Sequence, residues 1–449
     1  MTRLQSNYFK WLAALLLAFA LLTAQSTVYG ASATAERPID AEEYGVFLKD
    51  KYNISLNSSI TKGDFIKAVA SILDYKAEGK DQPFTDLKAG DALFPAAAAL
   101  YEKGILKGPA IQGERVLTNS VAISIAVRAA ELQELALTYP ADKVNHSLKA
   151  LNITSSGLGT QVAQELAVAV DSGLLPEASY AGFKPGAAAD VKLANVLLGK
   201  VLEAKGLYKN YIGYVSDADI FAKLNTAYAT SDIINAPDLQ KLVNEALEQE
   251  LVTGYNLKDS RFHSNFVESL TIRYGHSDFK HALQLIGLLR SEGLDAKVQF
   301  EPKTSAYIHL AEWGDPGPNV VQIENGNFIA YSKEYDLAFE FFSTKDKAAF
   351  QNVILTYAKK NEADQSGLIA GSWWQPLYFS ATELADYKVI TNNLITDPDS
   401  VYEVHPFSLN EDSAKVVAGF KAIDPNVIIT PYQFWVDAPF FNYLHGESL

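Results

Sequence analysis

Residues 84–132 read FTDLKAGDALFPAAAALYEKGILKGPAIQGERVLTNSVAISIAVRAAEL, and the order of their parts governs how the first half of the chain is read. Phe84-Thr85-Asp86 comes first, then an apolar run over 93–101 and Gly104-Ile105-Leu106-Lys107-Gly108. A loop follows, and Leu117-Thr118 opens a second apolar stretch over 121–132. Ala and Leu at helical spacing, broken at Gly and Pro clusters, predict short helices joined by turns. Two looser copies flank this one. The first keeps Ile54 and then Ile60-Thr61-Lys62-Gly63-Asp64-Phe65, running into Ile66, Val69 and Ile72. The third offers an apolar run over 166–170, Gly173-Leu174-Leu175, Phe183-Lys184-Pro185 and a helical stretch over 191–202. A period of about fifty to seventy residues is expected where helical hairpins pack on one another, since one hairpin cannot bury its apolar face alone.

These parts resemble the S-layer homology repeat: Phe-x-Asp, a short helix, Gly-Ile-x-x-Gly, a loop, and a second helix entered through Ile-Thr-Arg-Ala-Glu. The resemblance covers about residues 40–208, with copies near 40–75, 84–135 and 140–205, and implies an all-α three-repeat helical module. It also implies a cell-surface protein of a Gram-positive type cell, held non-covalently on secondary cell-wall polysaccharide through a pyruvyl ketal carboxylate. Carried onto this chain, the polysaccharide-binding residues are Thr61, Lys62 and Asp64. Thr61 would cap the helix, Asp64 would close a capping box, and Lys62 would add a cation to the free N–H groups and dipole of the first turn. Lysine stands where the family has arginine, giving a point charge in place of a bidentate fork. The second copy, Thr118-Asn119-Ser120-Val121, has no cation there, and the third, Ala189-Asp190-Val191-Lys192, keeps neither threonine nor cation. One site of the family's kind is therefore expected.

The N-terminus carries Arg3 and Lys10, an apolar run over 11–22, and small residues ending Ala31-Ser32-Ala33, the build of a secretory signal peptide over 1–33. That run is too short for a bilayer core, which needs about 20 residues, so an extracellular location without a transmembrane segment after cleavage is expected. The last residues, Tyr443 to Leu449, carry no apolar sorting tail or basic end, which agrees with a non-covalent anchor. The chain contains no cysteine, and its single methionine is Met1, so disulfides and thiolate metal sites are excluded. A formal charge of −15, made more negative when Arg3 and Lys10 leave with the leader, argues against nucleic acid as a partner.

Residues 209–262 read as a helical connector, with Pro237 starting a helix whose apolar face carries Leu239, Leu242, Val243, Ala246 and Leu247. From 263 to 449 strands alternate with helices, which predicts an α/β or α+β domain with a mixed sheet; no family resemblance attaches to it. Strands are expected near 268–274, 296–300, 335–342, 401–409 and 427–430, with helices at 278–292, 344–360 and 412–422. Asn325-Gly326 is expected to turn a hairpin.

The C-terminal part holds Trp313, Trp373, Trp374 and Trp435, all the tryptophans beyond the leader. Trp373, Trp374 and Tyr378 form the best candidate surface for stacking on sugar rings, so a carbohydrate-binding module or a wall- or glycan-acting hydrolase is the rival reading. His276 and His281, with Glu301 or His309, invite a metal, but their five-residue step does not place two imidazoles on one helical face and no His-Glu-x-x-His occurs. No cofactor or metal is expected from these residues. No catalytic residue is assigned either: Gly-x-Ser-x-Gly is missing, and Asp336 and Glu340, although on one strand face, read as its solvated side.

Overall fold

The structure is a computed structural model that describes residues 40–79, 82–309, 319–323, 326–357 and 379–445. The helices, in chain order, are α1 Asp40–Tyr52, α2 Lys62–Ile72, α3 Phe94–Glu102, α4 Asn119–Ala129, α5 Gln133–Leu137, α6 Ala141–Leu148, α7 Thr160–Asp171, α8 Val191–Ala204, α9 Ile220–Thr230, α10 Pro237–Glu248, α11 Lys280–Ser291, α12 Thr344–Tyr357, α13 Ser413–Ile423 and α14 Ala438–Leu444. The strands are β1 Gly213–Tyr214, β2 Gly254–Asp259, β3 Thr271–His276, β4 Ala296–His309, β5 Val320–Gln322, β6 Phe328–Phe341, β7 Phe379–Ser380, β8 Lys388–Thr396, β9 Tyr402–His405, β10 Phe407–Ser408 and β11 Ile428–Val436. Among the described residues no helix is long and apolar enough to cross a membrane.

All strand pairings are antiparallel, and eight strands close on themselves in the order β4-β2-β9-β8-β11-β7-β3-β6, with β6 returning to β4. Strands β1, β5 and β10 attach to β4, β6 and β8. This closed antiparallel barrel corrects the mixed α/β sheet expected from the alternation of strands and helices. The helix α11 does carry the chain from β3 to β4 in the same direction, but β6 returns from β4 and takes the place between them. The two strands that flank this helix thus become the outer members of an antiparallel triple. With the short β5 between β4 and β6 set aside, the run β3-α11-β4-β6-α12-β7 has the β-α-β-β-α-β order of a split βαβ unit.

The all-α three-repeat module is corrected as well. Helices fall unequally over the three proposed copies: α1 and α2 in the first, α3, α4 and the start of α5 in the second, α6, α7 and α8 in the third. Short β-bridges join Thr61 to Val116 and Thr118 to Ala188, so the segment is not purely helical. Its main core also takes in Val267 from the later chain, with Leu270 packed against it. Apolar spacing of three and four residues reports a buried helix face, whichever neighbour buries it, so the pattern by itself did not establish repeated hairpins. Residues 209–262 differ too from a plain connector: the helix starting at Pro237 forms as expected and α9 precedes it, but β1 and β2 belong to the sheet.

The strand pattern explains an inverted barrel. On β6 the odd residues Tyr335, Leu337, Phe339 and Phe341 point outward into a core with Ile220 and Leu224 of α9, Leu285, Ile286 and Leu289 of α11, and Phe350 and Ile354 of α12. The even residues Glu334, Asp336 and Glu340 are buried on the opposite face. Likewise Tyr255 and Leu257 of β2, Ile395 of β8 and Val404 of β9 face outward, under Leu239, Val243 and Leu247 of α10 and Val416 and Phe420 of α13. Helices therefore cover the apolar outside, and the polar side chains turn inward.

Candidate functional site: the polar lumen of the barrel

A cavity of about 1080 Å³ is lined by side chains from all eight barrel strands, by Lys51 of α1, and by Glu203, Tyr208 and Lys209 from the end of the helical segment. The alternation that sends Val298 and Phe300 outward sends Glu301 and Lys303 of β4 inward, beside Asn256 and Lys258 of β2, Arg273 of β3 and Asp336 of β6. Register pairs Glu301 with Asp336 and Lys303 with Glu334.

Charges on the lumen floor are matched. Asp336 lies 2.5 Å from Lys258 Nζ and 2.7 Å from Lys303 Nζ; Glu301 lies 3.6 Å from Lys258 and 3.7 Å from Arg273. Glu301 also accepts the Ser264 N–H at 3.0 Å, and Glu334 accepts the Ser305 hydroxyl at 2.6 Å. Burial works against the ionised Asp336 carboxyl, but Lys258 and Lys303 outweigh it and hold the group far below the usual range. The same balance, with Arg273 and Lys258 as the cations, lowers Glu301. Such residues stay ionised and paired. Above them the wall is made of Asn256, Asn392, Tyr432, Phe379, Phe407 and Phe434. Asn392 Nδ2 donates to the Tyr432 hydroxyl at 2.7 Å and lies 2.8 Å from His405 Nδ1.

Two histidines and a glutamate meet in this region: His263, Glu403 and His405 bring one ligand atom each to within 4.8 Å of one another. Glu403 and His405 are two apart on β9, hence on one face, while His263 returns beside them after the 3-10 turn Ser260–Phe262 that follows β2. Burial, chiefly, lowers His405 to about 4, so its imidazole is neutral at physiological pH.

Sequence-expected residues are distributed differently. Thr61 caps α2 and Asp64 completes the capping box, with Thr61 N donating to Asp64 Oδ2 at 3.0 Å and Asp64 N to Thr61 Oγ1 at 3.1 Å. The free N–H groups expected beside Lys62 are occupied, because Lys62 N donates to Arg115 O and Gly63 N to Gly113 O, both at 2.8 Å. Lys62 itself is half-buried and makes no side-chain hydrogen bond or ion pair among the described residues. Burial depresses its pKa; Asp86 opposes this, and Arg128 and Arg115 add to it. Asp86 of the Phe-x-Asp element pins the following loop by accepting Ile111 N at 2.8 Å and Gln112 N at 2.7 Å.

Trp373, Trp374 and Tyr378, together with Trp313, the leader 1–33 and Asn325, lie outside the described residues. His276 and His281 do approach, their ring centroids 4.5 Å apart, because His276 ends a strand and is not in the helix. Glu301 is instead in the lumen with Arg273. Asp336 and Glu340 share a face as expected, but that face is buried, so the solvated reading is corrected. Sequence reasoning missed His263, Glu403 and His405; the Glu-Val-His alternation inside an expected strand was the available signal.

The fold and site thus define a closed antiparallel barrel with a polar, ion-paired lumen and a helical segment at its entrance. No protein-family model matches the chain, and no curated protein matches it.

Proposed function

We propose that this is an exported cell-surface protein that binds a short wall glycan in the lumen of its barrel. The lumen lining carries the reading. Asn256, Asn392 and Tyr432 supply hydrogen-bonding edges, and Phe379, Phe407 and Phe434 supply ring faces, around a space of about 1080 Å³. Sugars need this combination, because their hydroxyls hydrogen-bond at the edge while their C–H faces stack on aromatic rings. With the floor charges already paired, the cavity favours a neutral or weakly acidic ligand. A paired-carboxylate hydrolase gains no support here: Glu301, Asp336 and Glu403 are all held ionised, whereas a glycosidase acid must stay protonated.

Calorimetric titration of the mature chain with oligosaccharides released from secondary wall polymer should show a single site with a Kd between about 1 μM and 1 mM. Tyr432→Ala should weaken it about five- to tenfold, the size of one lost stacking and hydrogen-bonding partner. No heat with any wall oligosaccharide at millimolar concentration would retire the proposal.

A second reading, attachment of the helical segment to the wall polymer, is favoured by Lys62. A half-buried ammonium whose burial Asp86 only partly offsets is stabilised by an incoming carboxylate. The mature chain should pellet with purified sacculi, and about tenfold less of it should do so after the secondary polymer is extracted or after Lys62→Ala. Equal pelleting with intact and extracted sacculi would remove attachment; unchanged pelleting of the variant would remove Lys62 from it.

A further inference from the structure

We propose that His263, Glu403 and His405 form a binding site for one divalent transition-metal ion of zinc-like character, with its open coordination position facing the lumen.

Three observations converge. The first is spacing: Glu403 Oε2 lies 3.2 Å from His263 Nε2 and 3.5 Å from His405 Nε2. Ligands bound to zinc at about 2.0–2.1 Å in a tetrahedron stand roughly 3.3 Å from one another. Both contacts already sit near that edge length, and the third lies within 4.8 Å. The second is that Glu403 Oε2 and His405 Nε2 are buried and have as polar neighbours only the other atoms of this cluster, none of them in good hydrogen-bond geometry. His405 is 6% exposed, so water does not replace the missing partner freely. Two adjacent buried acceptors without a well-directed donor are costly, and one cation would satisfy both.

The third observation concerns the other side of the ring. His405 Nδ1 lies 2.8 Å from the Asn392 amide, which also contacts the Tyr432 hydroxyl. If the amide is turned over, Asn392 Oδ1, which has no partner as placed, accepts from His405 Nδ1–H and from Tyr432. That tautomer leaves Nε2 as a lone pair aimed at Glu403, the arrangement in which a second partner orients a metal-bound histidine. Lys258 of β2 stands in register opposite Glu403 of β9, but it is paired with Asp336 at 2.5 Å.

Two nitrogens and one carboxylate oxygen suit borderline ions such as Zn²⁺ or Co²⁺ better than Ca²⁺ or Mg²⁺, which prefer all-oxygen sites. Because His263 and His405 both line the cavity, a fourth ligand would come from the lumen. The metal assignment stands independently of whether the cavity takes a glycan.

The test is titration of the chelator-treated mature protein with Co²⁺, followed by visible absorption, and with Zn²⁺ in competition. One equivalent should bind, with d–d bands of a four- or five-coordinate site, and Zn²⁺ should displace it. Glu403→Gln and His405→Gln should each weaken binding at least about 100-fold, whereas His281→Gln should not change it. His263→Gln lies at a partly exposed position, so its folded state, checked by circular dichroism, should match the parent's, and it should weaken binding about tenfold or more. Absence of the bands at millimolar Co²⁺, or binding that survives in His263→Gln and Glu403→Gln alike, would overturn the site.

Discussion

Asp336→Ala is expected to destabilise the protein by about 3–5 kcal/mol, the usual cost of removing one partner from a buried ion pair. The carboxylate sits between Lys258 at 2.5 Å and Lys303 at 2.7 Å, and the three side chains are 1%, 10% and 2% exposed in the order Asp336, Lys258, Lys303. Alanine would leave two ammonium groups on the lumen floor with only Glu301 at 3.6 Å from Lys258 and Glu334 at 3.8 Å from Lys303. The loss comes mainly from stranded charge, because the intact triad itself contributes little beyond its own desolvation. It follows that Lys258→Met, Asp336→Leu and Lys303→Met together should recover most of the stability that Asp336→Ala loses. Urea denaturation of the four proteins measures this directly. A cost below about 1 kcal/mol for Asp336→Ala would mean the lumen is hydrated enough to screen its charges, and the picture of a closed ion-paired floor would fall.

The same triad shows what the sequence could and could not convey. The alternation of Asp336 and Glu340 with Leu337, Phe339 and Phe341 was legible as a strand with two unlike faces. Polar residues on one face of a strand mean solvent in an open sheet and lumen in a closed barrel, and alternation is the same in both. Deciding between them needs the partner strand. Lys297, Glu301 and Lys303 repeat the pattern on β4, but Pro302 breaks the expected strand at Phe300, since proline lacks the N–H that a central strand usually donates. In the structure β4 runs through Pro302, which stands opposite Tyr335, and continues to His309. Closure itself rests on pairings such as β2 with β9, which join residues near 257 to residues near 404 and leave no local trace. For the same reason the Glu403-Val404-His405 alternation was readable whereas His263, its neighbour only through that pairing, was not. In the helical segment the capping box at Thr61 and Asp64 was legible because it is local; the use of the Lys62 and Gly63 N–H groups by residues 113 and 115 was not.

Glu43→Gln should cost about 3 kcal/mol near neutral pH and progressively less in acid. Glu43 is on α1, and its carboxylate reaches Lys209 at 2.9 Å, Lys297 of β4 at 2.8 Å and the Tyr208 hydroxyl at 2.7 Å. Glu340 of β6 completes the cluster, 2.6 Å from Lys209 and 3.6 Å from Lys297. This is where the helical segment is electrostatically fastened to the barrel, so the substitution leaves two buried lysines to share one carboxylate. Burial opposes the charge on Glu43, but Lys209 and Lys297 overcome it and lower the pKa from 4.5 to about 2. A depressed carboxyl pKa contributes stability that is fully present above the unfolded value, near 4.5, and is lost as pH falls toward 2. A drop from 4.5 to about 2, at about 1.36 kcal/mol for each tenfold change in proton affinity, gives the figure of about 3 kcal/mol. Denaturation of parent and variant across pH 7 to 2 should therefore show two curves separated by that amount down to about pH 5 and converging below it. A gap that remains constant into the acid range would place the effect in packing, not in the Glu43 charge, and would show that the junction does not depend on these ion pairs.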